Sequence, residues 1–150
     1  MTHNPSIEIV ARAVILSGNQ LLVCQVKDAD WCFLPGGHVD FGEPTETALV
    51  REVREELGIP AVIGPFLGAV ENVYDENGEK HHEINLVFSV QADTTQLTSQ
   101  EGHIQFSLID VGKLPDLKLL PAQLKRSLIS WFSDQKPFWV GGTANVTEQL

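Results

Sequence analysis

From Gly37 to Ile59 the chain reads GHVDFGEPTETALVREVREELGI, a glycine-rich entry running straight into a segment that carries Glu52, Glu55 and Glu56. Pro44 suits the first position of a helix and Gly58 its stop, so the spacing predicts a helix from Pro44 to about Leu57. Just before it, Pro35, Gly36 and Gly37 of LPGGHVDFGE permit a backbone path that other residues resist, and this part reads as a loop. At about 100° per residue, with Glu52 taken as zero, Glu56 falls near +40° and Glu55 near −60°. The three carboxylates therefore share one arc. It borders the apolar arc of Leu49, Val50, Val53 and Leu57, while Arg51 and Arg54 lie on the other side. Like charges three and four residues apart cost a helix about 0.2–0.5 kcal/mol per pair, a cost that a divalent cation reverses. Hard carboxylate oxygens select magnesium or manganese for that place.

The remaining sequence reads as a mixed α/β (α+β) chain. IEIVARAVIL and QLLVCQV are β-branched, apolar runs joined across SGN; AVIGPFLGAVENVY and HHEINLVFSVQA are joined across DENGEK, where Asn77-Gly78 is a strong hairpin signal. IQFSLIDV reads as another strand, and PAQLKRSLISWFSD as a second helix with an apolar side. With 150 residues, 43% of them hydrophobic, the chain has the length of one domain with a real core, expected over residues 1–150. A tail from Gln135 is irregular, but Phe138 and Trp139 predict that it docks on the domain or on a second copy, so a homodimer is within the expectation. The N-terminus shows no basic region followed by an apolar run, and no stretch approaches the roughly 20 apolar residues of a membrane span, which predicts a cytoplasmic protein without a membrane partner. Cys24 and Cys32 lack metal-site spacing and read as buried free thiols. Twenty acidic against ten basic residues, a formal net charge of −10, argue against long nucleic acid as a partner. An anionic ligand needs a metal ion here.

Taken together, Gly37, then five residues, Glu43, then seven, then Arg51-Glu52-Val53-x-Glu55-Glu56-x-Gly58-Ile59 resembles the Nudix box, complete and without a substitution. The resemblance implies the Nudix fold, a mixed sheet sandwiched between helices, and an enzyme that hydrolyses a diphosphate linkage in a nucleotide derivative. It further implies Glu52, Glu55 and Glu56 as metal-binding carboxylates, the Gly37 carbonyl as a further ligand, and Glu43 and Arg51 as residues that brace loop and helix. Magnesium is the implied cofactor, with manganese as the alternative, and a small nucleotide the implied substrate. In many relatives a glutamate on a loop before the last strands completes the site or acts as base, and Glu101 in SQEGHIQF stands in about that place; Glu52 is its rival as base.

Outside the box the signals are weaker. An E-x-x-E-E segment alone is usually solvated surface, and LPGG alone a simple turn; only the full spacing gives them weight. Arg12 and Lys27 are the bases nearest the loop and are candidate substrate-binding residues, against plain solvated charge. His81, His82 and His103 are more often structural in such positions. No pattern selects between nucleoside triphosphates and ADP-ribose-like nucleoside diphosphate derivatives. The rival to an enzyme is a Nudix domain that binds a nucleotide as a sensor without cleaving it; an assembly domain is a poorer third.

Overall fold

The computed structural model describes residues 5–142. Its elements are β1 (Glu8–Ser17), β2 (Gln20–Val26), β3 (Gly36–His38), α1 (Thr45–Leu57), β4 (Val62–Glu76), β5 (Glu79–Gln91), β6 (Ile104–Asp110), α2 (Ala122–Asp134) and β7 (Phe138–Val140), with short 3₁₀ turns at Thr94–Gln96 and Val111–Asp116. The strands form one mixed sheet in the order β6-β2-β1-β5-β4-β7, with β3 paired to β1 off that path. Both expected hairpins form. Asn77 and Gly78 adopt φ values of 52° and 81°, the left-handed pair that closes β4 onto β5.

Alternation along the strands separates two apolar layers. Ala11, Ala13 and Ile15 of β1 meet Leu49, Val53 and Leu57 of α1 on one face. Val14 of β1 and Val87 of β5 meet Leu124 and Leu128 of α2 on the other. The sheet thus lies between the two helices, as the resemblance implies. Cys24 and Cys32 are free and buried, and burial pushes the Cys32 thiol up to about 11. Among the described residues, no helix is long and apolar enough to cross a membrane.

Two segments expected to be irregular are strands. Gly36–His38, expected as loop, pairs antiparallel with β1 through Val10↔His38, Ala11↔Gly37 and Arg12↔Gly36. In the tail, Phe138–Val140 pairs parallel with β4, and Phe138 and Val140 pack on the α2-side layer while Trp139 stays exposed. The Gly142 N–H donates to Glu71 Oε1 at 2.8 Å, and the other carboxylate oxygen, Oε2, lies 3.0 Å from His82 Nε2. The end of the tail, residues 143–150, lies outside the described residues. Deleting residues 135–150 is expected to lower stability by about 2 kcal/mol through lost apolar burial. A truncated protein with an unchanged thermal melting curve would show that the docked strand contributes nothing.

Candidate active site

The sequence folds the box so that its entry strand meets the side chains of α1. Gly36 has φ 141°, and a Cβ there would lie 1.9 Å from the Ala11 carbonyl oxygen, so only glycine lets β3 approach β1 this closely. Its N–H donates to Glu56 Oε2 at 3.3 Å. At Gly37 a Cβ would lie 2.5 Å from the Glu52 carboxyl carbon, so the bare backbone is what leaves room for that carboxylate. The two glycines thus set two of the three glutamates.

The acidic arc is graded by depth. Glu56 is buried, with 7% relative exposure, whereas the Glu52 and Glu55 side chains are 17% and 54% exposed. Burial pushes the Glu56 carboxyl up to about 8, against the Gly36 hydrogen bond and the Arg12 charge, which pull it down. A cation beside Glu56 would reverse that balance.

Arg51 is the organiser of the outer part. Its Nε and Nη2 each donate to Glu43 at 2.9 Å, Nη1 to Glu52 at 2.9 Å and to Glu55 at 3.3 Å, and Nη2 also to the His38 carbonyl at 3.1 Å. The hydrogen bonds to Glu43 and Glu52 raise the guanidinium pKa further, and the bond to Arg51 holds Glu43 below its usual range. The helical projection put Arg51 on the other side from the carboxylates; its long side chain reaches back and offsets part of their repulsion. Among the described residues no three carboxylate, imidazole or thiol groups yet converge on one point that would hold a metal ion. The oxygen-only donor set nevertheless fits a hard divalent cation, which would compete with Arg51 for Glu52 and Glu55. Arg51→Lys keeps a charge but loses the two-pronged contact with Glu43, and is expected to lower both the melting temperature and, by about 10–100-fold, the activity. If activity fell with the melting temperature and metal affinity unchanged, Arg51 would act on the substrate instead.

Glu101 arrives on a segment that docks on the end of α1. The Thr98 N–H donates to the Leu57 carbonyl at 3.1 Å and the Gln100 N–H to the Glu56 carbonyl at 3.3 Å. This brings Glu101 near enough that its charge raises the Glu56 pKa, although its own carboxylate is half-exposed and 3.7 Å from His103 Nε2. Arg12 also reaches the site: Nη1 donates to the Leu34 carbonyl at 3.0 Å, and the guanidinium lies over the Phe33 ring at 5.9 Å. Burial lowers its pKa, against the charges of Glu56 and Glu83, which raise it. Lys27 is not gathered in. Its backbone N–H is bound to the His103 carbonyl at 2.8 Å and the residue is exposed. His82 serves the tail through Glu71, and His81 stacks on Tyr74 at 5.0 Å.

Sequence reasoning missed the hydrogen-bonding role of Gly36, and it missed a cleft beside Arg12 lined by Trp31, Tyr74 and Glu83. The Gly-Gly pair held the first signal. The second had none, because those residues are far apart along the chain.

A sheet between two helices, carrying the complete box at a β3–α1 junction, defines a Nudix domain, and the family's NUDIX domain profile matches residues 8–132. The chain belongs to that family. It is similar to the ADP-ribose pyrophosphatase of Methanocaldococcus jannaschii, 26% identical over 126 residues that cover 82% of this chain and 73% of that protein. It is also similar to the CTP pyrophosphohydrolase of Escherichia coli, 40% identical over 67 residues covering 42% of this chain and 49% of that one. Among solved structures, the MutT protein of Methanosarcina mazei Go1 superposes with a TM-score of 0.72 at 25% identity, covering 90% of this chain and 99% of that one.

Proposed function

We propose that the protein is a magnesium- or manganese-dependent pyrophosphohydrolase that cleaves a diphosphate bond in a small nucleotide. The observation that carries this reading is the junction of β3 and α1, where Glu52 and Glu56 lie against the Gly36–Gly37 backbone and Glu55 stands beside them. Glu52, Glu55, Glu56 and the Gly37 backbone would hold the ion, which when bound neutralises the diphosphate and makes water a stronger nucleophile. Glu43 and Arg51 hold the outer carboxylates in register. Arg12, a cation at the cleft that Glu83 also lines, is suited to a phosphate oxygen; Lys27 remains a rim candidate for the same anion. Glu101, on the segment that docks on the end of α1, is the proton acceptor in this reading, with Glu52 as its rival. The names of the two similar pyrophosphatases support nucleotide substrates of both classes expected from the sequence. As part of the same reading we take residues 1–150 as one cytoplasmic domain, which the two free thiols support.

The test is phosphate or nucleotide release from nucleoside triphosphates and ADP-ribose, with magnesium and with excess chelator. Release in magnesium that chelator abolishes is the expected result. Tight nucleotide binding without release would favour the sensor, and full activity in chelator would end the metal assignment. Within this assay Glu101→Gln is expected to lower kcat by about 10²–10⁴, with apparent metal affinity unchanged. Weakened metal affinity, with rate regained at high magnesium, would make Glu101 a ligand. A rate near wild type at limiting metal would remove it from the site.

A further inference from the structure

Strands β1 and β2 pair only at Leu16↔Leu21 and Ser17↔Gln20, and beyond that they diverge. The segment before β3 fills the gap, with Phe33 bridged to Cys24 and Gly36 paired to Arg12. On the α2 side of this gap opens a cleft of about 460 Å³, lined by Arg12, Trp31, Phe33, Tyr74, Glu83 and Pro121 among others. Its walls are aromatic and its polar groups are divided by charge. Arg12 and Glu83 both line it, and Arg12 is near enough to Glu56, outside the lining, that the two charges act on each other.

The Glu83 carboxylate is held in place. The Tyr74 hydroxyl donates to Oε1 at 3.1 Å, and Asn85 Nδ2 lies 3.5 Å from Oε2. Stacking of His81 on Tyr74, at 13° between planes, fixes that ring in turn. Each Glu83 oxygen keeps spare lone pairs, while the Tyr74 hydroxyl is already spent as a donor. Behind it, Asn85 Oδ1 is buried with no hydrogen-bond partner among the described residues. The Asn72 side-chain Oδ1, on the same wall, accepts from Gln123 Nε2 at 3.1 Å, which leaves its Nδ2 as a donor there. With the Asp75 and Glu76 carboxylates beside Glu83 in the lining, this side of the cleft offers mainly acceptors.

We propose that the cleft is a base-recognition pocket that takes a nucleobase bearing an exocyclic amino group, as in adenine, cytosine or guanine, in preference to uracil, thymine or hypoxanthine. It rests on the hydrolase reading above and narrows its substrate class. The aromatic rings take the flat faces of the base, Glu83 accepts from the amino group, and Arg12 meets the phosphate side, directing the diphosphate toward Glu56. A carbonyl in place of the amino group would set oxygen against a fixed carboxylate.

The test compares matched substrates in magnesium: CTP with UTP, and ATP with ITP, each pair differing by amino against carbonyl at one ring position and by a bare nitrogen against an N–H beside it. A hydrogen bond to a charged acceptor predicts kcat/KM about 10–100-fold higher for the amino partner, and equality within about threefold overturns the proposal. Glu83→Gln, which can both donate and accept, is expected to bring each pair to within about threefold while the melting curve stays in place. A variant that keeps the full preference overturns the role of Glu83. Calorimetric binding of CMP and UMP in chelator reads the cleft without any cleavage. Tighter CMP binding with no turnover of any triphosphate or of ADP-ribose would sink the hydrolase reading and leave the pocket standing; turnover with CMP and UMP bound equally would sink the pocket alone.

Discussion

Glu56→Gln is expected to lower kcat by about 10²–10³-fold at saturating magnesium while leaving the protein folded. The reason is the depth gradient of the acidic arc. Glu56 is the one carboxylate of the three taken out of solvent, and its backbone partner is a single N–H from Gly36. Glutamine preserves that bond and removes the charge. The same burial gives a second readout in chelator. The Glu56 carboxyl, ordinarily near 4.5, is raised to about 8 in the folded chain, so between these values the folded state holds a proton that the unfolded chain has released. Stability from this group is thus fully present below about pH 4.5 and falls as pH rises toward 8, and Glu56→Gln should flatten that slope. Wild-type turnover in the variant would remove Glu56 from the site. A collapsed melting curve would make its role structural.

The two glycines should separate fold from chemistry. Gly36→Ala drives a Cβ into the Ala11 backbone at a φ that side chains rarely adopt, and is expected to cost about 3 kcal/mol or more in a urea titration. Gly37→Ala meets the end of the Glu52 side chain instead, which can swing aside. Its melting curve should stay close to wild type, yet kcat should fall by about 10²-fold because the carboxylate is moved by roughly an ångström or more. Equal stability losses in the two variants would show that Glu52 cannot yield, and unchanged kcat in Gly37→Ala would show that its position does not matter.

What could be read ahead of the structure was whatever has a local cause. Pro44 and Gly58 bracketed α1 because each fixes a backbone angle by itself, and Gly58 does end the helix at φ 69°. Asn77-Gly78 likewise announced its own turn. The strand Gly36–His38 was hidden because two of its residues have no side chain to alternate, and its pairing comes from β1. The strand Phe138–Val140 is too short for a period to show and depends on β4, about seventy residues earlier. At the site the acidic arc was legible from helical spacing, but its gradient from Glu56 to Glu55 was not, because depth is set by where α1 meets β3. Arg51 was misplaced by projecting Cα positions when a long side chain decides the contact. The convergence of Arg12, Trp31, Tyr74 and Glu83 comes from three strands and a connecting segment, and no window along the chain contains it.

The segment before β3 closes the divergence of β1 and β2, and Arg12 lies on β1 where that strand is paired to Gly36 on one side and Val87 on the other. The α1 face carries the carboxylates and the α2 face the cleft, each backed by its own apolar layer. Trp31 and Tyr74 line the cleft and touch none of the α1 carboxylates, so in the reading proposed above exchanges there would retune what is accepted while the reacting end stays fixed. Arg12 has no such freedom. A change there is felt by both faces at once, which makes it the position where altered preference and altered rate should be hardest to inherit separately.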